Sequence, residues 1–119
     1  MALTAIPKRF CQFRITAADT DFLVYTMTEP KGIIKEIILW NFDNQDREVS
    51  VAIVPSGETL GPKHYFFLRG QALGQESNIF TGLATVLEQG DRIYVNGNYY
   101  VVDKELQVQI SGVEFTEIV

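Results

Sequence analysis

The chain holds one cysteine, one histidine and one tryptophan in 119 residues. A single thiol, Cys11, can close no intramolecular disulfide, so stability does not rely on an oxidising compartment, and Cys11 reads as a small core or near-core residue. A single imidazole, His64, excludes sites that need two or more histidines, and with one cysteine it leaves no set for zinc or non-haem iron. Positive charge is scarce too. The ten Lys and Arg never form a run, the net charge is −5 and the sequence pI is near 4.8. Duplex nucleic acid and anionic membrane surfaces both demand clustered cations, so neither is an expected partner. No apolar stretch is long enough to cross a bilayer, and residues 1–7 lack the basic start and long apolar segment of a signal peptide. Gly70, Gly74, Gly82 and Gly90 are scattered and open no helix, which removes a phosphate-cradling loop.

Catalytic sets are equally thin. Cys11 and His64 could be drawn as a dyad, but nothing in their positions brings them together, and Cys11 sits in a strand rather than at a helix start that would activate it. Glu58, Glu76, Glu88, Asp91 and Glu105 supply carboxylates, yet in so small a protein they read as solvated turn residues rather than the pair of a glycoside hydrolase. Glu88-Gln89-Gly90-Asp91 reads as a turn, with an isolated calcium ligand as the lesser alternative. No catalytic, cofactor-binding or metal-binding residue is assigned, and a non-enzymatic protein without a cofactor is expected.

What is present is a globular composition: 46% hydrophobic, eight Phe, five Tyr and only 21% charged. One domain over residues 1–119 is expected, with residues 1–9 as a flexible or partner-contacting arm. Its organising stretch is residues 32–55. Ile33, Ile34, Ile37, Ile38, Leu39, Trp40 and Phe42 favour a strand by their β-branched content, and Pro30 and Gly32 disfavour the helical alternative. Residues 48–54 then alternate with period two, Val49, Val51 and Ile53 on one face. The polar run Asp43-Asn44-Gln45-Asp46-Arg47 predicts that the two arms fold back as an antiparallel hairpin. The first arm is apolar on both faces, which predicts a central strand covered on both sides with Trp40 in the core.

Elsewhere, residues 10–15 predict a half-buried edge strand, with Phe10, Gln12 and Arg14 on one face and Cys11, Phe13 and Ile15 on the other. Residues 22–27 predict a short strand, 56–63 a surface loop, 64–68 another strand, and 78–80 with 83–87 two short strands or one bent at Gly82. Asn96-Gly97 is the strongest hairpin signal and predicts a turn between residues 93–95 and 99–102. In the last strand the apolar positions run Leu106, Val108, Ile110 and then switch parity to Val113 and Phe115, which predicts a bulge at Gly112 that restores the inward direction. About eight short strands with little or no helix define an all-β fold, an antiparallel β-sandwich or jelly roll.

Two aromatic clusters stand out, Tyr65-Phe66-Phe67 and Tyr94 with Tyr99-Tyr100. Neighbours on a strand point to opposite faces, so one of each adjacent pair must leave its core, and an outward Phe66 or Tyr100 would mark an interface. Cover by a loop of the same chain is the alternative.

Leu23-Val24-Tyr25-Thr26, residues 33–41, Val49-Ser50-Val51-Ala52-Ile53-Val54-Pro55-Ser56-Gly57, residues 86–93 and residues 108–115 follow one another in an order and spacing that resembles small virion proteins of tailed bacteriophages. The resemblance covers most of the chain after Phe22. It implies a β-sandwich accessory protein on the head or tail, without enzymatic activity. Residues 99–102 depart from it, being more apolar than the plain loop of that family.

The leading expectation is therefore a structural component that decorates the outer capsid or forms an accessory part of the tail, found in the virion after synthesis in the host cytoplasm. Its partners would be the major capsid or tail protein and further copies of itself, a trimer being favoured. The alternative is a carbohydrate- or receptor-binding module at the tail tip, and Trp40, read as core, counts against it.

Overall fold

Residues 31–41 form the most apolar of the long strands, and its alternation decides where the core lies. In the computed structural model, which describes residues 2–117, β3 (Lys31–Asn41) buries Gly32, Ile34, Ile37, Leu39 and Asn41 on one face and leaves Ile33, Ile38 and Trp40 on the other. Before it come β1 (Leu3–Arg14) and β2 (Phe22–Thr26); after it come β4 (Arg47–Val54), a single 3-10 turn (Pro62–His64), β5 (Tyr65–Ala72), β6 (Ser77–Phe80), β7 (Thr85–Glu88), β8 (Arg92–Gly97) and β9 (Leu106–Glu117).

The strands make two antiparallel sheets. One runs β1-β9-β3-β6, with β7 pairing the first half of β3 in line with β6, and the other runs β2-β8-β4-β5. First pairs with last, second with second-last and so inward, which is the wrapping of a jelly roll. The fold class expected from the sequence is the one observed.

Between the sheets, Ile37, Leu39, Leu106, Val108 and Ile110 of one meet Val49, Val51, Ile93 and Val95 of the other, all buried. Each such side chain contributes about 1.5–3 kcal/mol by leaving water. Phe10, Met27 and Leu87 close one end of the core, and Ile15 with Ala72 extends it.

The hairpin expected over residues 32–55 does not form. β3 and β4 lie in different sheets, and residues 42–46 carry the chain across from one to the other. Their apolar faces meet across the core instead of sharing a ladder. Asn96-Gly97 is likewise not a turn but the end of β8, opposite Ser50 and Val49. Glycine serves space there: a Cβ on Gly97 would lie 2.8 Å from Ile15 Cδ1 and 3.1 Å from Leu106 Cδ1. Residues 99–102 consequently form no strand, and the chain returns to β9 through a loop.

Three expected orientations change for a common reason, the placement of bulges. In β1 the register against β9 slips between Arg9 and Cys11, which turns Phe10 inward beside Cys11 and Phe13. In β3 the slip falls between Ile34 and Glu36. The strand β9 itself carries no extra residue at Gly112, so Val113 and Phe115 do not regain the core; Glu114 faces inward instead, and its Oε2 accepts the Tyr25 hydroxyl at 2.7 Å. From Leu3 onward, the segment read as an N-terminal arm is the first half of β1, paired with residues 111–117. Met1 lies outside the described residues.

Candidate functional site

Cys11, His64, Glu58, Glu88 and Asp91 are each placed in structural contacts. Cys11 faces the interior of the β1–β9 edge, where burial pushes its thiol up to about 11, the opposite of an activated nucleophile. His64 ends the 3-10 turn beside the other sheet, accepting the Gly61 N–H on Nδ1 at 2.9 Å and meeting Glu58 Oε1 through Nε2 at 3.0 Å. The pair therefore closes a loop, and the two halves of the imagined dyad lie apart in the fold, Cys11 in β1 and His64 in the turn that leads into β5. Asp91 accepts the Glu88 N–H at 2.8 Å, as a turn residue does, and Glu88 reaches toward Lys31 at 4.0 Å. Among the described residues no three His, Cys, Asp or Glu side chains cluster as a metal site would require.

The six aromatics expected at an interface separate into four environments. Tyr65 and Tyr94 meet in one cross-strand row, Leu23–Tyr94–Ala52–Tyr65, on the outer face of the β2-β8-β4-β5 sheet. The Tyr65 hydroxyl donates to Asp21 Oδ1, and burial followed by this hydrogen bond pushes it up to about 12. Phe66 is the extra residue of a bulge against Val51 and Ala52, so it packs on the core together with Phe67, whose ring meets Phe80 at 4.9 Å. An outward Phe66 is thus replaced by an inward one. Tyr99 lies under the Arg47 guanidinium, 3.6 Å from ring centre to carbon, and packs on the core. Tyr100 is half-buried in the loop that follows β8.

The surface that the pattern of aromatics did not reveal is the outer face of the β1-β9-β3 sheet. Trp40, expected in the core, is 38% exposed there. Its neighbour Phe42 is also exposed, with ring centroids 5.4 Å apart and planes at 54°. The register builds this face row by row. At one end, Pro7, Val113, Ile33 and Val86 stand side by side across four strands, with Ala5, Phe115, Lys31 and Glu88 in the next row. A polar row of Arg9, Ser111 and Glu36 follows. Beyond it come Gln12, Gln109, Ile38 and Ile79, then Arg14, Gln107, Trp40 and Ser77.

The two ends of this face differ in chemistry. The Pro7 row presents only carbon, while the Trp40 end surrounds a half-enclosed cavity of about 180 Å³ with Gln12, Gln107 and Gln109 beside Ile38, Trp40 and Phe42. The signal for the first end was the parity switch at Val113 and Phe115, which places apolar residues outward once no bulge intervenes. The signal for the second was the pair Gln107 and Gln109 alternating with buried Val108, on a strand whose polar face had to look somewhere.

Comparison with family models, with curated proteins and with solved structures finds no match for this chain.

Proposed function

We propose that this chain is a non-enzymatic structural subunit of a tailed-phage virion, joined to a capsid or tail protein, and to further copies of itself, through the apolar end of the outer sheet face. The observation that carries the reading is the row Pro7–Val113–Ile33–Val86, a line of carbon crossing four hydrogen-bonded strands with Val86 48% exposed. At strand spacing such a row is roughly 15 Å wide. An exposed apolar band of this kind, on a rigid sheet, is the usual mark of a protein contact. One copy would bind weakly, and a symmetric oligomer on a repeating lattice would multiply the contact. The phage assignment itself comes from the sequence resemblance, with which the acidic net charge of −5 agrees for a part held outside packaged DNA.

The test joins stoichiometry to mutation. Quantitative mass spectrometry of purified particles should find the chain in numbers commensurate with the capsid lattice or, for a tail part, in a few copies. Val113→Asp and Ile33→Asp should abolish incorporation while circular dichroism of the pure variants stays unchanged. Absence from particles would overturn the virion reading, and undiminished incorporation of both variants would overturn the proposed surface.

A further inference from the structure

We propose that the opposite end of the same face, around Trp40, is a binding site for a neutral saccharide chain. The inference does not rest on the virion reading. A pyranose ring has an apolar face of C–H groups and a rim of hydroxyls that both donate and accept. Recognising it takes an uncovered aromatic plane beside groups with both capacities.

Trp40 and Phe42 supply the planes. They are 38% and 44% exposed, tilted by 54°, and together make an angled shelf rather than a flat patch. Side-chain amides supply the rest, since each carries a carbonyl acceptor and two N–H donors. Gln107 is the direct cross-strand neighbour of Trp40, Gln109 that of Ile38, and Gln12 that of Gln109. Among the described residues Gln107 and Gln109 spend no side-chain hydrogen bond within the chain, and Gln12 spends only its carbonyl, on Arg9 at 2.8 Å. The paired strands β1 and β9 therefore hold three amides with unspent capacity around one cavity, beside Trp40 on β3.

The residues that line the cavity are all uncharged, which suits a neutral ligand, while Arg14 beside Gln107 and Arg9 on Gln12 stand at its rim. A protein seated dry on the site would strip water from three amides, and each one left unpaired would weaken the contact. The carbon-only row at the other end of the face is where such a partner fits. A ligand that is half apolar and half hydroxyl matches the Trp40 end, in keeping with the pockets that combine apolar walls with a few converging polar groups.

Trp40 is the only tryptophan, so its fluorescence reports this site alone. The full chain would be titrated with tetraoses of glucose, galactose, mannose and N-acetylglucosamine, up to about 10 mM, the weak end of specific binding. A saturable blue shift with reduced acrylamide quenching is expected from at least one. Gln107→Ala and Gln109→Ala, both on a solvent face, should each weaken it roughly tenfold by removing hydrogen bonds to hydroxyls. Val113→Asp should leave it unchanged, which separates this site from the proposed docking row. Silence toward all four sugars would overturn the proposal. So would a response that both glutamine variants leave intact, or one elicited only by a purified virion protein.

Discussion

The Asn41 side chain accepts the backbone N–H of Asp43 on Oδ1 at 2.8 Å, and its amide nitrogen donates at 2.8 Å to both Gln45 O and Ala72 O. Asn41 is fully buried at the end of β3, so these three bonds fold the crossover between the sheets around one side chain. Replacing it by leucine keeps the branched shape, adds bulk and leaves three backbone groups without their side-chain partner. At about 1–3 kcal/mol for each buried group left unsatisfied, a loss of roughly 3 kcal/mol or more is expected. Asn41→Asp should be worse, because a carboxylate oxygen would face two carbonyl oxygens. Urea denaturation monitored by circular dichroism measures both.

The crossover should also be acid-sensitive. Arg47 donates twice to Asp43 Oδ2, at 2.9 and 2.7 Å, and this hydrogen bonding holds the Asp43 carboxyl below the ordinary value of 3.8. A depressed carboxylate stabilises the fold above its unfolded pKa and ceases to do so as the pH falls through its folded one. Glu58, lowered chiefly by its hydrogen bond to His64, acts in the same direction. Thermal midpoints should therefore hold steady at neutral pH and drop below about pH 4, where free carboxylates titrate. In Asp43→Asn the neutral-pH midpoint should be lower and the acid drop shallower; an unchanged acid limb would show that the pair plays no part in it.

The class of this fold was legible because β-branched runs, period-two segments and turn residues are local signals. Which strand pairs with which is not local. Residues 48–54 alternate equally well whether their inner face closes a hairpin with β3 or meets β3 across a core, and the period specifies only the face. Asn96-Gly97 has the chemistry of a tight turn, but the space left by Ile15 and Leu106 claims Gly97 for the inner face of β8. Phe10 and Phe66 sit at bulges, which move a residue by one position in register without any mark in composition. Trp40 was hidden by a deeper ambiguity. A strand apolar on both faces is covered on both sides, and a sequence does not distinguish cover by its own chain from cover by something else.

Gly112 is the position where one methyl group should be least tolerated. A Cβ there would lie 1.9 Å from Ile33 O and 3.0 Å from Lys35 N, against backbone at the β3 bulge rather than a side chain that can swing away. Gly112→Ala is expected to lose about 3 kcal/mol or more, at or above the usual range for overpacking. Ser111→Ala, one residue earlier and on the outer face, should stay within roughly 0.5 kcal/mol as an ordinary surface change. Comparable urea midpoints for the two variants would contradict the close approach of β9 to β3.

Leu39 and Trp40 are adjacent in sequence and opposite in environment, 0% and 38% exposed. If β3 were covered on both sides by its own chain, truncating either would open a cavity, and the larger tryptophan would cost more. With only the inner face covered, Leu39→Ala should lose about 2–5 kcal/mol, the range for a buried leucine. Trp40→Ala should lose less than its size predicts, because more than a third of its surface is already in water and the contacts it gives up, that with Phe42 included, lie on a solvent face. The reversal of the order expected from side-chain size is the decisive feature, and equilibrium unfolding of the two single variants reads it directly. A small cost for Trp40 would mean that the stability of the isolated chain does not account for its position, in keeping with the saccharide site proposed around it.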